Sequence, residues 1–208
     1  IYGGWTVYAS GDHFVNGEFE VVGRNPNLAA RTRRLSGLLL DQQFGLIPWT
    51  PAFFALIPAF AFIVKERFKE TFLLLLCAVV GWSVATWVAL TMHGWWWPGR
   101  QLVVILPTAI IAMSILAEKF RTWRWFIYLG GISGVIAWLW LSFEATTDRR
   151  TLVVDFYETT YPIYQALADV LPDFTDFDQS ALLLNGIWLT GIAVATILTI
   201  TRKTKVLT

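Results

Sequence analysis

Five stretches of the chain contain no Asp, Glu, Lys or Arg: residues 44–64, 71–92, 101–117, 125–143 and 181–201. A helix rises about 1.5 Å per residue, so each can cross a hydrocarbon core of about 30 Å, although the third is short. Every charged residue lies in the connections between them. The pattern predicts an all-α integral membrane fold with five transmembrane helices and long extracytoplasmic loops. Residues 1–43 form the first such loop and 44–143 a four-span bundle. Residues 144–180 form an acidic extracytoplasmic loop with a surface helix, and 181–208 the last span and a basic cytoplasmic tail.

Composition agrees with this reading. Of 208 residues, 56% are hydrophobic and 15% charged, against about 25% charged in an ordinary soluble domain. The mean hydropathy is +0.55. A soluble fold of this size has no interior large enough for that much apolar surface. A formal net charge of +1 removes the electrostatic case for nucleic acid as a partner. Cys77 is the sole cysteine, which excludes an internal disulfide and a cysteine-based metal knuckle.

The connections set the orientation. Lys65, Arg67 and Lys69 occupy the first short turn, Lys119, Arg121 and Arg124 the third, and Arg202, Lys203 and Lys205 the tail. Residues 144–180 instead hold eight acids against Arg149 and Arg150. The positive-inside rule makes the basic turns and the C-terminus cytoplasmic and puts residue 1 outside, in a multi-pass protein of the cell membrane. The chain opens on Ile1 with no signal peptide, so a piece of a longer protein or a processed one is expected, with an odd number of spans upstream if the parent begins in the cytoplasm. The tryptophans of Trp95–Trp97, Trp123 and Trp125 read as interfacial anchors.

Pro48, Pro51 and Pro58 in the first span, and Pro107 in the third, predict kinks. Gly130 and Gly134 make a small-residue face for close helix packing. No span holds an ionisable group, which argues against ion-coupled transport, proton pumping and voltage sensing. Haem ligation is disfavoured as well, because His13 and His93 both lie outside the spans.

Candidate chemistry therefore falls in the outer loops. Residues 1–43 contain Tyr2-Gly3-Gly4-Trp5, Gly11-Asp12-His13-Phe14, and the cluster Arg31, Arg33 and Arg34. An arginine at headgroup height can hold a phosphate bidentately or attract anionic lipid in general. His93 and Arg100 flank the glycine- and tryptophan-rich turn between the second and third spans, which suits a phosphate contact. Asp12, His13 and Asp41 complete the outer-loop candidates. Two histidines with a carboxylate can bind a divalent ion, but no H-x-x-x-H spacing is present, so neither metal nor cofactor is expected. The run Asp173–Asp178 lacks the glycine and glutamate of a calcium loop and reads as a solvated segment ending in a helix N-cap.

The segment Gly37-Leu38-Leu39-Leu40-Asp41-Gln42-Gln43-Phe44-Gly45-Leu46, followed by Pro48 and Pro51, resembles a stretch of the bacterial polytopic GT-C-type glycosyltransferases, relatives of the protein O-mannosyltransferases. The segment from Gly94 to Pro107 is similar to their outer turn ending in Gly-Arg and the span after it. The two segments and the residues between them cover about a third of the chain. The resemblance implies transfer of a sugar from a polyprenyl-phosphate-linked donor to an acceptor on the extracytoplasmic face. It also implies a general-base aspartate in the first outer loop of the parent protein, upstream of this chain, a role not assigned to Asp12 or Asp41. Outer-face arginines, Arg100 above all, would stabilise the leaving phosphate. The alternative is a non-catalytic membrane accessory or scaffold subunit.

Overall fold

A computed structural model describes residues 28–89, 98–147, 149 and 156–202. Among these residues all regular structure is helical. The chain runs through α1 (Leu28–Thr32), α2 (Arg34–Leu40), α3 (Leu46–Trp49), a 3₁₀ turn (Pro51–Ala55) and α4 (Leu56–Ser83), which ends in a π turn (Val84–Val88). A 3₁₀ turn (Arg100–Leu102), α5 (Leu106–Lys119) and α6 (Arg121–Thr146) follow. A short 3₁₀ turn (Phe156–Glu158), α7 (Pro162–Ala168) and α8 (Gln179–Thr201) complete the order.

Three segments are long and apolar enough to cross a membrane: Pro51–Val88, Arg121–Thr146 and Gln179–Thr201, with mean hydropathies of 2.0, 1.7 and 2.0. Their surfaces fit a membrane location. Leu73, Leu129 and Leu183 are 72%, 62% and 65% exposed, which suits lipid better than water. Of the five spans expected from the charge-free stretches, length and composition bear out three segments. The first two stretches share one segment, and the third contributes a helix of only 14 residues, about 21 Å long.

Proline explains much of this. Pro48 lies in α3, Pro51 opens the 3₁₀ turn and Pro58 sits in the first turn of α4. Together they cut residues 44–55 into short pieces where a kinked span was expected. Pro107 does not kink a span either. It stands in the first turn of α5, where its missing N–H costs nothing.

Within α4 the helix breaks at Arg67 (φ −141°, ψ 31°), inside the predicted basic turn. In an unbroken helix Leu56 and Ala78 would stand about 33 Å apart. Here they belong to one buried cluster with Leu40, Ile47 and Ile105. Leu75, from the second arm, packs on the cluster of Phe62 and Ile63 from the first. The two arms of α4 therefore lie side by side.

The small-residue face of α6 has its partner within this chain. A Cβ on Gly130 would lie 2.5 Å from the Ala52 backbone nitrogen, and one on Gly134 would lie 2.5 Å from Thr50 Oγ1. Glycine lets the Thr50–Ala52 backbone press directly on α6.

The bundle has two chemically distinct ends. At the basic end, Lys65 Nζ donates to the Ile200 carbonyl (2.6 Å) and Trp123 Nε1 to Thr199 Oγ1 (2.9 Å). At the acidic end, Asp41, Glu144 and the segment 156–178 meet. Residues 28–43 and the described residues of 144–180 are more structured than loops. α1 and α2 lie in the first, and Leu38, Leu39 and Leu40 are core residues. Glu144 continues α6, and within the predicted surface helix the described residues form α7, which Pro162 starts and does not interrupt.

Candidate functional site

Asp41 ends α2 and is fully buried, 0% exposed. Its Oδ1 accepts from the backbone N–H of Gln43 (2.9 Å) and Phe44 (2.6 Å), and its Oδ2 from that of Phe174 (3.0 Å). Its carbonyl accepts from Gly45 N at 2.9 Å. A Cβ on Gly45 would lie 2.6 Å from that carbonyl oxygen, so the turn closes only with glycine there. Both Asp41 and Gly45 of the motif thus serve a turn that ties α2 to the segment before α8. A carboxylate holding three backbone N–H groups has its acceptor positions committed to structure.

The arginine cluster is also engaged. Arg31 Nη1 donates to the carbonyls of Trp87 (2.6 Å) and Ala89 (3.2 Å), and Arg34 Nη1 to that of Ala89 (2.7 Å). These carbonyls lie at the C-terminal end of the π turn, where positive charge is favoured. Burial, then the charge of Arg31, lowers the pKa of Arg34, but a guanidinium remains protonated. Arg33 sits over the Phe177 ring, 4.9 Å from its centroid. Arg100 opens the 3₁₀ turn after Gly99, which has a φ of 78°, and its side chain is exposed. Asp12, His13 and His93 lie outside the described residues. Among the described residues no three His, Cys, Asp or Glu side chains come together in a metal-binding group.

Glu144 is a second buried carboxylate, only 2% exposed, that the charge pattern placed in a loop. Its Oε1 accepts from Thr160 N (2.9 Å), Thr160 Oγ1 (2.6 Å) and Trp140 Nε1 (3.2 Å), and its Oε2 from Thr159 Oγ1 (2.7 Å). The available signal was Trp140, one helical turn before an acid at the end of an apolar run. Glu144 staples the Thr159–Thr160 stretch to α6. Tyr161 strengthens the joint, its hydroxyl lying 3.1 Å from both Ser133 Oγ and the Ser133 carbonyl.

An apolar groove of about 860 Å³ lies between the two arms of α4, α2 and α8. Leu39, Phe60, Val64, Leu76, Trp82 and Ile192 typify its lining, and Ser36 and Thr196 are its only hydroxyl-bearing residues. At one end lies α2, with Leu35 and Ser36 on the groove directly after Arg34. No protein-family model matches this chain, and neither does any curated protein or solved structure.

Proposed function

We propose that the chain is the membrane-embedded module of a GT-C-type, polyprenyl-phosphate-dependent glycosyltransferase. One observation carries this reading: the apolar groove ends at arginine-bearing α2. A lipid-linked donor has the complementary form, a long apolar tail with a phosphate at one end. In this reading the two arms of α4 are separate passes and α5 completes five. The basic end faces the cytoplasm of the cell, and residue 1 lies on the far side with the acidic end. The phosphate would meet the guanidiniums at the α2 end of the groove, and Arg100, with His93 seven positions before it in the sequence, is the further candidate. The general base comes from upstream spans of a parent protein, and no cofactor is required.

Photo-crosslinking tests the reading. A diazirine-bearing polyprenyl phosphate added to the protein in nanodiscs should label the groove at Phe60 or Leu76. Unlabelled polyprenyl phosphate should suppress the labelling, and dioleoylphosphatidylglycerol should not. Equal suppression by both lipids would sink it. In a transferase-active parent protein, Arg100→Ala should weaken donor dependence about ten- to hundredfold, with Arg100→Lys recovering part.

The second reading is a non-catalytic accessory or scaffold subunit. It is favoured by the engagement of Arg31, Arg34 and Asp41 in holding backbone groups.

A further inference from the structure

The π turn at Val84–Val88 ends the second arm of α4. It is closed by a bond from the Ala89 N–H to the Val84 carbonyl at 2.9 Å, five residues back where an α turn reaches four. Such turns are rare and occur often at functional positions. This one leaves a hydroxyl unmet. Thr71, Thr190, Thr196, Thr199 and Thr201 each donate to the carbonyl four residues back, at 2.7 or 2.8 Å. Thr86, in the middle of the π turn, does not. It is 0% exposed, and among the described residues its Oγ1 has no hydrogen-bond partner. A sealed hydroxyl is costly to leave unbonded. Winding Val84–Val88 as an α turn removes the fault, because the Thr86 hydroxyl then meets the Trp82 carbonyl as Thr71 meets that of Arg67.

The π form is held by what its end is tied to. Arg31 clasps the carbonyls of Trp87 and Ala89, Arg34 clasps that of Ala89, and Trp87 Nε1 donates to Thr32 Oγ1 at 3.3 Å. Rewinding to α rotates Trp87 and Ala89 about the helix axis and draws them off α1. Trp82 precedes the turn, so its bond to the Leu35 carbonyl (3.2 Å) survives and α2 keeps its place at the end of the groove. Two forms therefore compete. The π form has α1 clasped and Thr86 unbonded; the α form has Thr86 bonded and Arg31 released beside the groove.

We infer that Val84–Val88 is a latch, and that the Arg31 clasp is an autoinhibitory contact which a lipid phosphate at the α2 end of the groove releases. An anion bonds a guanidinium more strongly than neutral carbonyls do. The phosphate shifts the population toward the α form by its preference for the released Arg31. The trigger rests on the reading that the groove carries a lipid phosphate; the latch itself does not.

The test is hydrogen exchange at the indole N–H groups of Trp82 and Trp87, followed by NMR on the full chain in nanodiscs. Exchange detects a released form even as a minor population. Without lipid, Thr86→Val keeps the shape of the side chain, removes the unmet hydroxyl and favours the π form, so Trp87 exchange should slow about tenfold. Thr86→Ser keeps a hydroxyl and should exchange near the wild-type rate. Arg31→Gln should speed Trp87 exchange about tenfold, and Thr190→Val, on α8, should change nothing. Undecaprenyl phosphate should speed exchange at Trp87 and leave Trp82 as it was. Inorganic phosphate should do neither, because nothing holds it at the groove. The inference is overturned by a wild-type rate in Thr86→Val, by Thr86→Val and Thr86→Ser behaving alike, by Trp82 and Trp87 accelerating together, or by equal acceleration with inorganic phosphate. A groove that takes no polyprenyl phosphate fails instead in the crosslinking at Phe60 or Leu76, and the Thr86 and Arg31 variants, measured without lipid, still report on the latch.

Discussion

The two ends of the bundle handle charge differently. At the acidic end, Asp41 and Glu144 are 0% and 2% exposed, and each collects hydrogen bonds from chain far away in sequence. At the basic end the charges stay in solvent. Lys65 and Glu66 form an ion pair of 4.0 Å with side chains 51% and 38% exposed. Cations there also cover helix C-termini: Lys65 reaches the Ile200 carbonyl, and Arg124 reaches those of Ala117 and Glu118, both at 3.0 Å. Burial makes the difference. A desolvated carboxylate is tolerated only with a full set of donors, and losing it strands those donors. An exposed pair gains little and loses little. A carboxylate at the acidic end is therefore a strong structural element before it is a candidate for chemistry.

The largest effect should follow Asp41→Ala, which leaves the N–H groups of Gln43, Phe44 and Phe174 without their acceptor. The expected loss is about 3 kcal/mol or more in reversible unfolding, since each stranded buried donor costs about 1–3 kcal/mol. Lys65→Ala is the comparator at the other end and should change stability by less than about 1 kcal/mol. Equal losses in the two variants would erase the contrast between the ends.

Glu144→Gln should come next, at about 1–3 kcal/mol. The amide keeps one oxygen for the Thr160 donors and turns an NH₂ toward the other partners or loses the charge-assisted bonds. Because Thr159 and Thr160 are tied to α6 through this carboxylate, hydrogen exchange should rise first at Thr160 N, before the core of α6 responds. Uniform exchange throughout α6 would mean that Glu144 supports the whole helix and not the joint alone.

Parts of this arrangement are legible in the sequence for physical reasons. Charge-free runs mark apolar segments because an ion in hydrocarbon is costly, and the Lys65–Lys69 turn marks the break found at Arg67. Gly130 and Gly134 announce a close contact, although not that Thr50–Ala52 fills it. The roles of the candidate site residues are much less legible, because their partners are distant. Arg31 and Arg34 look like anion ligands until the π turn exposes the carbonyls of Trp87 and Ala89, more than fifty positions away. Asp41 looks like a free acid until Phe174 arrives 133 positions later. Three prolines in one apolar run predict a kink, whereas Pro48 and Pro51, three positions apart, leave no room for a full helical turn between them, and the run falls into pieces.

Asp178 should give the smallest effect and the most specific one. It is the N-cap of α8, a role its place before an apolar run announces. Its Oδ1 accepts from Ala181 N (2.8 Å) and Ser180 Oγ (2.7 Å). The bond from the Ala181 N–H, first among the causes, holds the Asp178 pKa below the usual carboxylate value, and the bond from Ser180 adds to this. A carboxylate with a lowered folded pKa contributes stability that is fully present above its unfolded value, about 3.9, and lost as pH falls through the folded one. Protection of the Ala181 and Leu182 amides should therefore be constant from about pH 8 to pH 5 and fall only below about pH 4. Asp178→Asn separates cap from charge, since asparagine caps about as well as aspartate but does not titrate. That variant should match the wild type at neutral pH and lose the acid-induced opening at this helix start. A wild-type protection profile that already declines between pH 7 and pH 5 would assign the acid response to another group and leave Asp178 a cap of no electrostatic consequence.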